Sequence, residues 1–343
     1  MMKKILITGG LGFIGSHTVV ELENQGYKVC IIDNLSNSTL DVLNGIEKIT
    51  GSRTHFENID LRDKKAVAGF FKVHSDIEGV IHFAASKAVG ESVVKPLHYY
   101  ENNVSSLVYL LQEITNLKKP VSLIFSSSCT VYGQADSMPI SEAAPVKLAE
   151  SPYGNTKQIG EEILKDLSKV DVNINTILLR YFNPIGAHPS LEIGELPLGK
   201  PQNLVPFITQ TAAGLFEKLT VFGDDYPTAD GTCVRDYIDV VDLAKAHVAA
   251  LNRLLKNENE TNFEIYNLGS GTGSTVLEVI SSFESVSGQS LNYSIGPRRV
   301  GDVAAAYANT SLAKEKLHWN TVVSLDTSVE NAWKWEKKIR SIK

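Results

Sequence analysis

The first half of the chain alternates short, β-branched apolar runs with longer stretches whose apolar residues recur every three or four positions. The runs KKILIT (3–8), YKVCIID (27–33), RTHFENID (53–60), EGVIHFA (78–84), VSLIFSS (121–127) and NINTILLRY (173–181) predict six buried strands. Segments near 14–25, 62–74, 97–117 and 153–169 predict amphipathic helices between them. Apolar strands separated by helices require a parallel sheet covered on both faces. The expectation is an α/β fold with a doubly wound parallel sheet.

After Tyr181 the pattern changes. YFNPIGAHPS, GELPLGKPQN and GDDYPTADGT are rich in Gly, Pro, Asn and Asp and read as long loops, which in a compact protein usually carry function. Helices are expected near 204–216, 240–255, 275–287 and 325–341, with strands at 219–222, 263–268 and 291–295. A domain boundary is therefore placed near 180, dividing the chain into 1–180 and a smaller mixed α/β unit, 181–343, from which the chain is free to cross back.

Composition narrows the function. The 343 residues are 43% hydrophobic and carry 33 basic against 39 acidic side chains, a formal charge of -6 spread in both signs, so a basic nucleic-acid or anionic-membrane binder is excluded. Cys30, Cys129 and Cys233 are too far apart for a disulfide framework or a CxxC metal pair, and no metal is expected. The N-terminal apolar stretch is too short for a signal-peptide core and no segment approaches a membrane span, so a cytoplasmic location is expected.

KKILITGGLGFIG sets a strand directly before Gly9, Gly12 and Gly15, and SHTVVELENQG continues as a helix ending at Gly26. A pyrophosphate must touch backbone N–H groups at such a helix start, and a Cβ there would hold it away. The spacing GxxGxxG meets the dinucleotide fingerprint in part. Asp33, at the end of the second strand, can accept both ribose hydroxyls of an adenosine and repel a 2′-phosphate, which favours NAD over NADP in a Rossmann-like domain. A turn or cap role for Asp33 is the alternative. Asp60, read as ending the third strand, is placed to meet an adenine amino group.

SPYGNTK puts Tyr153 and Lys157 on one face of a helix that Ser151 or Pro152 would start. An ammonium and a nicotinamide cation both favour the phenolate of a tyrosine whose ordinary pKa is about 10. Alone, the pair reads equally well as a solvated helix face. Ser126, Ser127 and Ser128 give it weight, because they end an apolar strand at the edge where open α/β sheets hold ligands, although some of the three can serve the turn toward Tyr132 and Gly133.

Together, TGGLGFIG, FSSSCTVYG, SPYGNTK and RYFNPIGAHP resemble the extended short-chain dehydrogenase/reductase superfamily. Within it, DGTCVRDYI, YNLGSGTG and PRRVGD make the chain similar, from Lys4 to about Trp335, to the family of UDP-glucose 4-epimerases. The resemblance implies NAD as cofactor, a UDP-hexose as substrate, and an NAD-binding domain followed by a UDP-sugar-binding one. It implies that Tyr153 is the catalytic base, that Lys157 tunes it and binds the nicotinamide ribose, and that Ser128 hydrogen-bonds the reacting 4′-oxygen. For NAD it points to Phe13, Ile14, Asp33, Asn34, Leu35, Ser36, Asn37, Ser38, Asp60, Leu61, Phe83, Ala84, Ala85, Lys87, Asn102 and Phe182 beside the glycines. For the UDP-sugar it points to Arg235 and Arg299 on the diphosphate, with Asn183, Asn203, Leu204, Phe222 and Asp302 around phosphate, uracil and ribose. A homodimer pairing helices 97–117 and 153–169 is also implied.

Two features depart from the family pattern or imitate another. Where a bulky tyrosine often follows the PRRVGD aspartate by four residues, this chain has Ala306, which enlarges the hexose pocket enough to predict turnover of N-acetylated UDP-hexosamines; a one-residue shift would put Tyr307 there instead. GSGTG, Gly269 to Gly273, imitates a second phosphate loop and is read as a turn. A nucleotide-sugar 4,6-dehydratase is the nearest rival, but Ser128, Cys129 and Thr130 supply no carboxylate to abstract a proton at carbon 5. A reductase would exchange its cofactor, and a non-catalytic NAD sensor would have no use for Ser128, Tyr153 and Lys157 together.

Overall fold

A computed structural model describes residues 2–299 and 302–342. Strands β1 (Lys4–Thr8), β2 (Lys28–Asp33), β3 (His55–Asn58), β4 (Ile77–His82), β5 (Val121–Ser128) and β6 (Ile174–Tyr181) join a seventh, Phe263–Leu268, in one sheet. Its order is 263–268, β6, β5, β4, β1, β2, β3, and every pairing is parallel. Ile5 and Ile7 face a cluster with Val20 and Leu251, while Leu6 faces the opposite one with Phe70, Leu110 and Phe125. This is the period-two alternation of a strand covered on both sides, and the doubly wound sheet is as expected. Strand order reverses between β1 and β4, so a ligand crevice opens beyond their carboxyl ends.

The chain crosses back: helix Val240–Leu255 packs on α1 (Phe13–Asn24), and the strand that follows it extends the sheet beside β6. A separate core forms where helices Leu204–Ala212, Val276–Ser287 and Leu325–Ile339 enclose Phe283 and Trp333, whose rings meet edge-on at 5.6 Å. No helix among the described residues is long and apolar enough to cross a membrane.

Three local expectations change. Helix Leu40–Thr50 was hidden by its polar lead-in and by Gly45, a residue the packing requires because a Cβ there would lie 2.3 Å from the Glu192 carbonyl oxygen. The single helix expected over 97–117 is α-helical over Pro96–Tyr100 and Ser106–Asn116 with a π-turn, Glu101–Ser105, between. Strand β3 stops at Asn58, so Asp60 lies in the loop beyond it.

Candidate active site

The glycine loop is shaped by close approaches. Gly9 has φ +70° and a Cβ on it would meet Ala84 N at 2.8 Å, while a Cβ on Gly15 would lie 2.2 Å from the Gly9 carbonyl oxygen. Gly12 starts α1 with no side-chain cap, so the first-turn N–H groups at Phe13 and Ile14 have no capping side chain and the positive end of the helix faces the crevice. Asp33 accepts from Leu11 N at 3.1 Å, Leu35 N at 2.9 Å and Ser38 Oγ at 3.1 Å, fixing the turn through Asn34, Ser36 and Asn37. Asn34 donates to Asp60 at 3.1 Å, and the Arg62 guanidinium with these donors holds Asp60 down to about 2. Leu61 is buried beside it. Phe83 and Ala84 N–H groups both donate to Thr8 O, which folds the end of β4 and the following Ala85 over β1. Asn102, in the π-turn, donates to Ser86 Oγ at 3.2 Å. This cradle, lined by backbone that a Cβ would fill and by the Asp33 carboxylate at the end of the next strand, fits NAD.

Across the crevice, Ser151 caps helix Pro152–Val170 by accepting from Gly154 N at 3.1 Å, with Pro152 at its first position. Tyr153 and Lys157 are buried on its face toward β5. Lys157 Nζ donates to Ser126 O at 2.6 Å and lies 6.0 Å from the Tyr153 ring centre, with no direct hydrogen bond to the phenol. Burial draws Lys157 down to about 8, and Glu161 one turn on pulls it back up. Burial pushes the Tyr153 phenol well above its ordinary value, with Tyr181 adding to the rise; Ser128, facing it, draws it down. Ser128 Oγ accepts from Thr130 N at 3.2 Å, which leaves its proton free to donate.

The remaining predicted residues fall into separate groups. Arg235 Nη2 reaches Asp302 at 3.2 Å and Arg299 reaches it at 3.0 Å, two guanidiniums sharing one carboxylate. Phe222 is half exposed, with Arg299 5.6 Å over its ring. Asn183 N donates to Asp236 O at 3.0 Å. Asn203 precedes Leu204 at a helix start and donates to Glu195 at 2.8 Å; Lys87 pairs with the same carboxylate at 3.5 Å. Ala306 pairs with Arg235 in a short parallel ladder and faces Val131, Phe182 and Ala308. Tyr307 faces the other way, against Gly273, so the alternative of a one-residue shift is not adopted.

Residues 5–269 match the model of the NAD dependent epimerase/dehydratase family. The chain belongs to that family. It is 49% identical over 332 residues to the UDP-glucose 4-epimerase of Bacillus subtilis, spanning 97% of this chain and 96% of the relative. It is similar, at a TM-score of 0.95 and 45% identity over the whole of both chains, to the UDP-glucose-4-epimerase of Stenotrophomonas maltophila with bound NAD and formylated UDP-arabinopyranose. The Bifidobacterium longum UDP-glucose 4-epimerase in complex with NAD+ and UDP matches at a TM-score of 0.94 and 43% identity, covering 99% of this chain and 100% of that one.

Several residues that build this epimerase/dehydratase site escaped the sequence reading. Asn103 Nδ2 bridges Ser86 O and Thr156 Oγ1, and its Oδ1 accepts from Ser86 N, tying the loop after β4 to the helix of Tyr153. Asp236, fully buried, accepts from the N–H groups of Ser270, Gly271 and Ala308, so GSGTG is a turn that encloses the protein's own anion. Thr8 Oγ1 bonds His82 at 2.7 Å, and burial with the nearby Lys157 charge keeps that imidazole neutral, down to about 3. At the opposite edge of the sheet, His55, Glu57 and His74 bring ligand atoms within 4.8 Å of one another. Lys4 Nζ donates to His74 Nδ1 at 2.8 Å, which puts the imidazole proton on Nε2, pointing at Glu57 rather than offering a lone pair to a cation.

Proposed function

We infer that the protein is an NAD-dependent UDP-glucose 4-epimerase, interconverting UDP-glucose and UDP-galactose. The observation that carries this is the meeting of Ser128, Tyr153 and Lys157 at the carboxyl edge of the sheet, across from the glycine loop, in a chain 49% identical nearly end to end to an enzyme of that activity. When bound, NAD accepts the hydride from sugar carbon 4 and returns it to the opposite face, so no net oxidant is used. Tyr153 takes the 4′-hydroxyl proton as the hydride leaves and gives it back after the keto sugar has turned over about its diphosphate link. Lys157, held by Ser126 O, and the nicotinamide cation of bound NAD both favour the phenolate against the burial that raises the phenol's pKa, and Lys157 binds the nicotinamide ribose. Ser128 donates to the reacting oxygen. Arg235 and Arg299 grip the diphosphate, exchanging their shared Asp302 for phosphate oxygens, with Asn183, Asn203, Leu204 and Phe222 around the rest of UDP.

The methyl of Ala306 beside Phe182 leaves the volume an acetamido group needs, so UDP-N-acetylhexosamines are substrates as well. A homodimer forms through helices Ser106–Asn116 and Pro152–Val170, between which lies a groove of about 440 Å³ whose floor of Val108, Leu111, Ile163 and Leu167 is flanked by polar residues including Lys64, Gln112 and Glu113. The setting is a reducing cytoplasm, in keeping with three unpaired cysteines, and the mixed-sign charge of -6 argues against nucleic acid or anionic membrane as a partner. A dehydratase is disfavoured because Ser128, Cys129 and Thr130 supply no carboxylate to abstract a proton at carbon 5, and burial raises the Cys129 thiol and so keeps it protonated. Proton NMR of the purified protein with UDP-galactose, and separately UDP-N-acetylgalactosamine, without added NAD, is the test. Equilibrating gluco and galacto forms are expected in both; no interconversion even after NAD is supplied refutes the epimerase, and rejection of the acetamido sugar alone refutes the Ala306 reading.

A further inference from the structure

The three serines ending β5 are met by one helix face turn for turn. Ser126 O accepts from Lys157 Nζ at 2.6 Å, Ser127 Oγ donates to Glu161 Oε1 at 2.5 Å, and Ser128 faces the Tyr153 phenol. Tyr153, Lys157 and Glu161 follow one another at four-residue intervals and so share that face. Glu161 has no part in the chemistry above. Its side chain is 9% exposed and its partner Arg180 4%, joined by a two-pronged bond, Nε to Oε1 at 2.9 Å and Nη2 to Oε2 at 2.5 Å. Arg180 stands directly opposite Ser127 in the β5–β6 register and lies 4.8 Å over the Tyr132 ring, whose hydroxyl donates to Asn267 at 2.7 Å. A buried ion pair is a poor source of stability compared with apolar packing of equal volume. What this one does is geometrical: it fixes a carboxylate where the middle serine must hook.

We propose that Glu161, clamped by Arg180, is a positioning residue for the 4-epimerase reaction, pinning Ser127 so that the strand presents Ser126 O to Lys157 and Ser128 to Tyr153. The inference rests on the epimerase reading. Its second effect is electrostatic, since the carboxylate one turn beyond Lys157 keeps that buried lysine charged to higher pH. Removing it leaves Arg180 uncompensated and acts in the same direction.

The test uses purified holoenzyme turning over UDP-galactose across a pH series. Glu161→Gln keeps the volume and loses the charge; kcat is expected to fall about ten- to a hundredfold, KM to stay within about twofold, and the alkaline limb of kcat to move to lower pH. Ser127→Ala leaves the ion pair intact and is expected to lower kcat in the same way with the pH limb unmoved. In the double variant Glu161→Met/Arg180→Met, a purely structural pair predicts that thermal stability and kcat recover together, whereas a positioning role predicts recovered stability with kcat still low. Wild-type kcat and pH profile in Glu161→Gln overturn the proposal, as does an unaffected Ser127→Ala, which also serves if Glu161→Gln does not fold. A wild-type chain that fails to interconvert the sugars overturns the epimerase reading itself.

Discussion

Asparagine in place of Asp236 would remove the anion around which residues 269–273 turn. Oδ1 accepts from Ser270 N–H and from the Ser270 hydroxyl, each at 2.7 Å, and Oδ2 accepts from Gly271 N at 3.2 Å and Ala308 N at 3.0 Å. An amide accepts on one side only. It would turn its NH2 toward Ser270, where the hydroxyl can reverse and accept, leaving the Ser270 N–H facing a second donor. A buried orphaned donor costs roughly 1–3 kcal/mol, and losing the charge on the two remaining bonds costs about 1 more. The burial that raises the Asp236 pKa makes a neutral amide easier to bury, so the net is placed at about 3 kcal/mol rather than higher. With an unfolding entropy of about 2.1 cal/mol/K for each of 343 residues, about 0.7 kcal/mol/K in all, the midpoint falls by about 4 °C. The assay is thermal unfolding at fixed saturating NAD, because bound ligand raises the midpoint by itself. Asp236 N also donates to Ala306 O at 3.1 Å and neighbours Arg235, so KM for UDP-galactose should rise more than kcat falls. A midpoint within about 1 °C of wild type, or a loss confined to kcat, refutes the assignment of Asp236 as the loop's internal anion.

Gly15→Ala places a methyl 2.2 Å from the Gly9 carbonyl oxygen and 2.9 Å from Gly10 Cα, backbone that cannot yield; the purified variant should carry no NAD by absorbance or fail to fold, whereas Gly26→Ala, with open space around its φ of +81°, should keep its cofactor. Tyr153→Phe should lower kcat by about 10²–10⁴ with NAD content unchanged, and a loss under about tenfold would remove it as the proton acceptor. Burial holds His17 and His82 down to about 3 and His247 to about 4. The unfolded chain protonates all three near pH 6.5, so from there down to about 4 it binds protons the folded chain refuses, and stability falls with acid by up to about 4 kcal/mol per pH unit. The raised carboxyls Glu21, Glu142, Asp236 and Asp239 act oppositely, since the folded chain takes their protons first. A urea midpoint flat between pH 6.5 and about 5 would contradict neutral burial of the imidazoles.

Legibility in the sequence followed the range of the interactions. The sheet was readable because β1, β2, β4 and β5 are apolar on both faces, a local property. The glycine loop was readable for the same reason, since strand, turn and helix start lie within a dozen residues. Glu161 looked like any charge on an amphipathic helix, because the partner that explains its burial, Arg180, belongs to the next strand and meets it only through the β5–β6 register. GSGTG looked like a phosphate loop because its own anion, Asp236, lies over thirty residues upstream. The side on which Ala306 and Tyr307 fall was undecidable from spacing; it is set by the pairing of Ala306 with Arg235 and by Tyr307 packing on Gly273.

On the proposed assignment, the two ends of the site differ in kind, and the difference suits the chemistry. The cofactor end is backbone at close quarters: glycines with no rotamers, an uncapped helix start, and Asp33 committed to three donors. The diphosphate end offers guanidiniums, strong and directional. Around Ala306 the packing is apolar, with Val131, Phe182 and Ala308 in the cluster it joins. A keto sugar that must present first one face and then the other cannot be bonded at every hydroxyl without slowing its own rotation. Binding energy drawn from the remote UDP holds the substrate without selecting either face, and Ser128 and Tyr153 supply directional contacts at the reacting carbon. Those two must then be placed accurately by the protein alone, which is the demand that the pairing of Ser126, Ser127 and Ser128 with Lys157, Glu161 and Tyr153 meets.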